Sequence, residues 1–135
     1  MIGILIITHG SLGESLLQCA GHVMGGPPPQ LKQIGVGMHG DPAALLPRAR
    51  EMVKELDRGD GVLVLSDIYG ATPCNLASKL LIPGRVEGIA GVNLPMLVRA
   101  LSYRNEPLEV LIEKAIGGGV GGVIHFTQEK CGPHG

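Results

Sequence analysis

The sequence predicts an α/β fold: one domain with a doubly wound, mostly parallel sheet and helices on both faces. Three observations carry this. Short aliphatic runs alternate with longer segments whose apolar residues recur at helical spacing, as in successive βαβ units. The runs Ile2–Ile7 and Gly61–Ser66 show no polar alternation, so they read as strands buried on both faces, as parallel strands are. The chain of 135 residues suits a single core. Right-handed crossovers in a sheet this small make 2-1-3-4 the simplest strand order.

In chain order, the first strand runs into Thr8-His9-Gly10-Ser11. Ser11 with Glu14 spells a capping box, and Leu12, Leu16, Leu17, Ala20, Val23 and Met24 form the stripe of the first helix. Gly25-Gly26 ends it and Pro27-Pro28-Pro29 forbids continuation. Leu31–Val36 is the second strand. Asp41-Pro42 supplies an N-cap with proline at the first helical position. The second helix carries Leu45, Leu46, Ala49, Met52, Val53 and Leu56, with an irregularity expected at Pro47, and Gly59 closes it. Gly61–Ser66 is the third strand. Thr72-Pro73 repeats the capping signal for a third helix to about Leu81. Val86–Val92 is the fourth strand, and Asn93-Leu94-Pro95 opens a helix to about Ser102. Asn105-Glu106-Pro107 opens a last helix with Leu108, Leu111, Ile112, Ala115 and Ile116 on one face, stopped by Gly117-Gly118-Gly119. Gly121–Phe126 reads as a weak final edge strand. The domain is placed at 1–126, with 127–135 a flexible tail.

Composition excludes several classes of function. A formal net charge of −1 and 2% aromatic residues offer neither an electrostatic nor a stacking basis for nucleic-acid binding. No apolar stretch is long enough to cross a bilayer. The amino terminus lacks the basic region of a signal peptide, so a cytoplasmic protein without membrane insertion is expected. Cys19, Cys74 and Cys131 are scattered and odd in number, against a disulfide framework or structural zinc. Cys19 is placed on a buried helix face. Cys74 is read as a small packed residue at a helix start, the alternative being a reactive thiol.

The chemistry points to His9. It ends a buried strand beside a glycine and a helix amino terminus, where open α/β sheets bind ligands and where free amides favour anions. Order 2-1-3-4 puts the switch point between the first and third strands, so Asp67, which ends the third, faces the same crevice. A carboxylate at one imidazole nitrogen fixes the tautomer and leaves the other as a lone pair, and it supports the charge an attacking imidazole acquires. Gly10, Ser11, Gly70, Ala71 and Thr72 line the two loops whose amides would hold phosphate oxygens. The plain alternatives are a hydrogen-bonded loop histidine and an aspartate that only caps its loop.

The segments G-I-L-I-I-T-H-G-S, D-I-Y-G-A-T-P-C-N and G-V-N-L-P-M-L resemble, in order and spacing, the mannose-family enzyme IIA component of the phosphoenolpyruvate-dependent sugar phosphotransferase system. The likeness runs to about Phe126. It implies that His9 matches the histidine phosphorylated on Nε2, Asp67 the carboxylate orienting it, Thr72 a hydroxyl residue and Gly70 a glycine near the phosphoryl group. Asn93-Leu94-Pro95-Met96 matches a loop close to the site. It further implies phosphate received from the carrier protein HPr and passed to a IIB component, in transport or in a regulatory version. A homodimer that exchanges its last strand is implied as well; for the transfer itself no cofactor and no metal are expected. Gly70-Ala71 departs from the family's usual Gly-Gly. With no linker and IIB domain in the sequence, the acceptor is expected on a separate chain, or the domain is expected to be purely regulatory.

A small metal chelatase also begins with an aliphatic strand and His-Gly-Ser, and would need His39 or His125 to join His9. His22, His39, His125 and His134 read instead as surface, loop or tail residues. A nucleotide-binding module lacks its glycine motif after a strand.

Overall fold

A computed structural model describes residues 1–129; Cys131, His134 and most of the expected tail lie outside them. The element order is β1 (Gly3–His9), α1 (Leu12–Met24), β2 (Leu31–Val36), α2 (Pro42–Leu56), β3 (Val62–Ser66), α3 (Thr72–Ser78), β4 (Val86–Ala90), α4 (Leu94–Tyr103) and α5 (Leu108–Gly121). The four strands form one sheet in the order β2-β1-β3-β4, every neighbouring pair parallel. This is the order the sequence predicts. Among the described residues no helix is long and apolar enough to cross a membrane.

Both sheet faces are covered, and alternation divides the core in two. Ile4, Ile6, Leu63 and Leu65 pack with Leu16, Ala20, Leu97, Ala100, Leu111 and Ala115 on the side of α1, α4 and α5. Leu5, Ile7, Val62 and Val64 pack with Ala49, Leu56, Leu76 and Leu80 on the side of α2 and α3. Inward positions on both faces explain why β1 and β3 carry almost nothing polar.

Arg104, after α4, is buried. Its guanidinium donates to the carbonyls of Ile2 (3.0 Å), Pro29 (2.6 Å) and Gln30 (2.6 Å), tying the start of β1 to the proline segment. Burial lowers its pKa to about 10, since a charge without a carboxylate beside it is disfavoured in low dielectric.

Several expectations are corrected. The last helix does not stop at Gly117-Gly118-Gly119 but runs through them to Gly121. A Cβ on Gly118 would lie 2.6 Å from Arg99 Cβ, one on Gly119 2.7 Å from Met96 Cε, and one on Gly122 2.5 Å from Pro95 Cβ. These glycines let α5 lie close on α4; they are not a stop signal. The final edge strand is not formed within the described residues. Val123, Ile124 and Phe126 are instead 79%, 65% and 63% exposed, in irregular backbone. Helix α3 ends at Ser78 rather than Leu81. Helix α2 ends at Leu56, capped by Asp57 rather than closed by Gly59, and continues unbroken through Pro47. Cys19 is exposed rather than buried, while Cys74 is half-buried.

Candidate functional site

β1 and β3 are adjacent, with Ile7 beside Ser66, so their carboxyl ends release His9 and Asp67 at one mouth of the sheet. Asp67 Oδ2 lies 2.8 Å from His9 Nδ1 and accepts the backbone N–H of His9 at 2.9 Å. Its Oδ1 accepts the N–H of Ile68 at 2.9 Å. The Asp67 side chain is 10% exposed and that of His9 51%. Burial pushes the Asp67 carboxyl up. The His9 main-chain N–H, its imidazole and the Ile68 N–H outweigh that, holding the carboxyl below its ordinary 3.8. An ionised carboxylate only accepts, so Nδ1 carries the proton and the neutral ring's lone pair sits on Nε2. Among the described residues Nε2 has no partner, and half of the ring meets solvent.

Gly10 turns the chain out of the strand with φ +51°, a left-handed conformation that glycine adopts without steric cost. Its N–H donates to the Val36 carbonyl at 2.9 Å, pinning the turn to β2. Gly35 makes this possible: a Cβ there would lie 2.2 Å from the Gly10 carbonyl oxygen. Gly35 is a functional position missing from the sequence-based expectations, and its signal is a glycine inside a strand, which often marks a close approach of another backbone.

Ser11 stands in the capping position of α1, but at φ −96° and ψ 6° its side chain makes no capping bond, so the capping box with Glu14 is not formed. On the other loop, α3 begins at Thr72 itself, with Ala71 in the capping position and no side-chain cap. The Ala71 N–H is taken by the Ile68 carbonyl at 3.2 Å, while the amides of Ser11, Gly70 and Thr72 meet no acceptor among the described residues. The cap read at Asp41 does form, its Oδ1 accepting from Ala43, and Asn93, where the sequence opens a helix, caps α4 with its Oδ1 accepting from Met96. Asn93 also donates to the Gly119 carbonyl at 3.0 Å, joining the start of α4 to α5. The loop before it is tied to the site strand, Gly91 N–H donating to the Asp67 carbonyl and Val92 N–H to that of Ser66.

His22, His39 and His125 are exposed. Among the described residues no group of three or more His, Cys, Asp or Glu side chains is arranged to hold a metal ion.

Fold and site together define an open α/β protein with a carboxylate-oriented histidine at its topological switch point. The family profile EIIA-man, described as PTS system fructose IIA component, matches residues 3–116, and the chain belongs to this family. It is 35% identical over 143 aligned positions to the PTS system mannose-specific EIIAB component of Escherichia coli (strain K12). That alignment takes in 98% of this chain and 42% of the relative, so the chain spans under half of that protein's length. The PTS system fructose-specific EIIA component of Bacillus subtilis (strain 168) is 31% identical, with 77% of this chain and 71% of that one covered. Among solved structures, the phosphotransferase system component EIIA from Streptococcus agalactiae superimposes with a TM-score of 0.82 at 25% identity, over 93% of this chain and 98% of that one. The mannose/sorbose specific IIA subunit from Enterococcus faecalis gives 0.82 at 22% identity, over 93% and 95%.

Proposed function

We propose that this chain is a phosphohistidine carrier in which His9 accepts a phosphoryl group from phospho-HPr and surrenders it to a IIB component. The observation that supports it most directly is the 2.8 Å contact between His9 Nδ1 and Asp67 Oδ2, made by a ring that is half exposed. The chemistry balances without a proton in transit. The Nε2 lone pair forms a bond to phosphorus as the P–N bond of the donor phosphohistidine breaks, and the donor imidazole recovers its electron pair. His9 becomes a phosphorylated imidazolium that keeps its Nδ1–H, and the Asp67 carboxylate balances that charge. Transfer to the acceptor reverses these steps. Positioning and electrostatics do most of the catalytic work in such displacements. Gly10, Ser11, Gly70, Ala71 and Thr72 form the proposed phosphate-holding loops, with the amides of Ser11, Gly70 and Thr72 the free donors. Residues 1–126 constitute the IIA unit.

The same reading places Val123–Phe126 in a second copy of the chain. Three exposed apolar side chains there, and the outer edge of β4, bridged by Ile82 only at Val86, support an exchanged strand and hence a homodimer.

The test is incubation with labelled phosphoenolpyruvate, enzyme I and HPr, comparing wild type with His9→Ala. Acid-labile, base-stable label is expected on the wild type alone. Equal labelling of both proteins would remove His9 from the role.

A further inference from the structure

We propose that the cleft between the carboxyl ends of α2 and α3 docks an acidic, amphipathic segment of a partner protein. The cleft has a volume of about 380 Å³ and is lined by Arg50, Val53, Lys54, Lys79, Leu80 and Ile82. It carries three cations and no anion. Charge elsewhere on α2 is balanced, since Arg48 pairs with Glu51 and Glu55, and Lys32 pairs with Glu55. Arg85, beyond the cleft, pairs with Asp57. Among the described residues Arg50, Lys54 and Lys79 make no ion pair. Helix α2 thus turns a neutralised side toward β2 and a purely positive one toward α3.

Between the cations lies apolar surface, with Ile82 56% exposed and Leu81 beside it 40% exposed. Lysines at helix carboxyl ends commonly do no more than complement the dipole. Lys54 and Lys79 fit that description. Arg50, a turn earlier, and the uncovered Ile82 do not.

The same dipoles set how deep an anion can sit. Two helices direct partial negative charge at the floor of the cleft, which opposes an anion seated deep in it but falls off within a turn toward the rim. Long side chains reaching out from the rim suit carboxylates spaced along a chain, with an apolar side chain seated on Val53, Leu80 and Ile82. The cleft sits near the starts of β3 and β4, whereas His9 ends β1 at the opposite rim. A partner there leaves the imidazole open.

The test uses the full chain and a fluorescein-labelled helical peptide with glutamates flanking a leucine stripe, followed by fluorescence anisotropy. Saturable binding that weakens with salt is expected, with affinity reduced roughly tenfold or more in Lys54→Glu/Lys79→Glu. If that variant does not fold, Arg50→Gln/Lys54→Gln is measured instead, with a smaller loss expected. Ile82→Ser should also weaken the peptide, which a purely electrostatic contact would not show. Absence of saturable binding, or equal affinity in the charge variants, overturns the proposal. Binding of phosphatidylglycerol vesicles through these residues, without binding of the peptide, would overturn it in favour of a membrane surface.

Discussion

At the scale of single residues, Asp67 acts on His9 through both its main chain and its ring. Replacing it with asparagine keeps the shape but changes the donors, because an amide nitrogen facing Nδ1 favours the tautomer with its proton on Nε2. Asp67→Asn is therefore expected to slow phosphorylation of His9 by a factor of up to about 10⁴, the loss seen when a buried carboxylate partner of a reactive histidine becomes an amide. Rapid-quench transfer from phospho-HPr measures it, and an unchanged rate would reduce Asp67 to a loop cap. The same residue predicts a pH dependence. Its carboxyl titrates below the ordinary 3.8 in the folded chain, so its stabilisation is complete above that value and is lost as pH falls through the lower folded one. Denaturant titrations of wild type and Asp67→Asn should differ by about 1–3 kcal/mol near neutrality and converge in acid.

Helix α5 shows at the element scale how one residue type serves opposite ends. Gly117 has open space where a Cβ would go, whereas a Cβ on Gly118 would lie 2.6 Å from Arg99 Cβ. Gly117→Ala should stabilise the protein by about 0.5–1 kcal/mol through helix propensity. Gly118→Ala should destabilise it by about 1–3 kcal/mol through overpacking. Thermal unfolding of the two variants decides the matter, and equal shifts would refute the packing role. This is also where the sequence misleads. Three consecutive glycines raise the cost of a helix, so local propensity ends it at Gly117. The contact that repays the cost involves Arg99, Met96 and Pro95, distant in sequence and invisible to periodicity. The cap at Asp41 is legible because a side-chain acceptor and its amide are close in sequence. Ser11 does not cap because capping depends on a backbone angle that residue identity does not fix.

For the whole molecule, strand order and the meeting of His9 with Asp67 were legible together, since both follow from two uninterrupted apolar runs and the handedness of crossovers. Gly35 and the tie from Gly91 to Asp67 were not, being main-chain approaches that leave little trace in side-chain pattern. The Val123–Phe126 segment belongs to this scale as well. Its residues are rich in strand-forming types, yet among the described residues they pair with no strand of their own sheet. If they complete a neighbour's sheet, the full chain sediments as a dimer and a chain ending at Gly122 as a monomer. Sedimentation velocity reads the difference, and identical sedimentation would exclude the exchange.

The Asp67 carboxylate already receives three N–H groups, and a carboxylate so committed has little basicity left for drawing a proton from water. In the proposed role that carboxylate balances the charge of the phosphorylated ring and does not act as a base toward solvent. The lifetime of the cargo is then set by how readily the charged ring leaves phosphorus and by how soon an acceptor arrives.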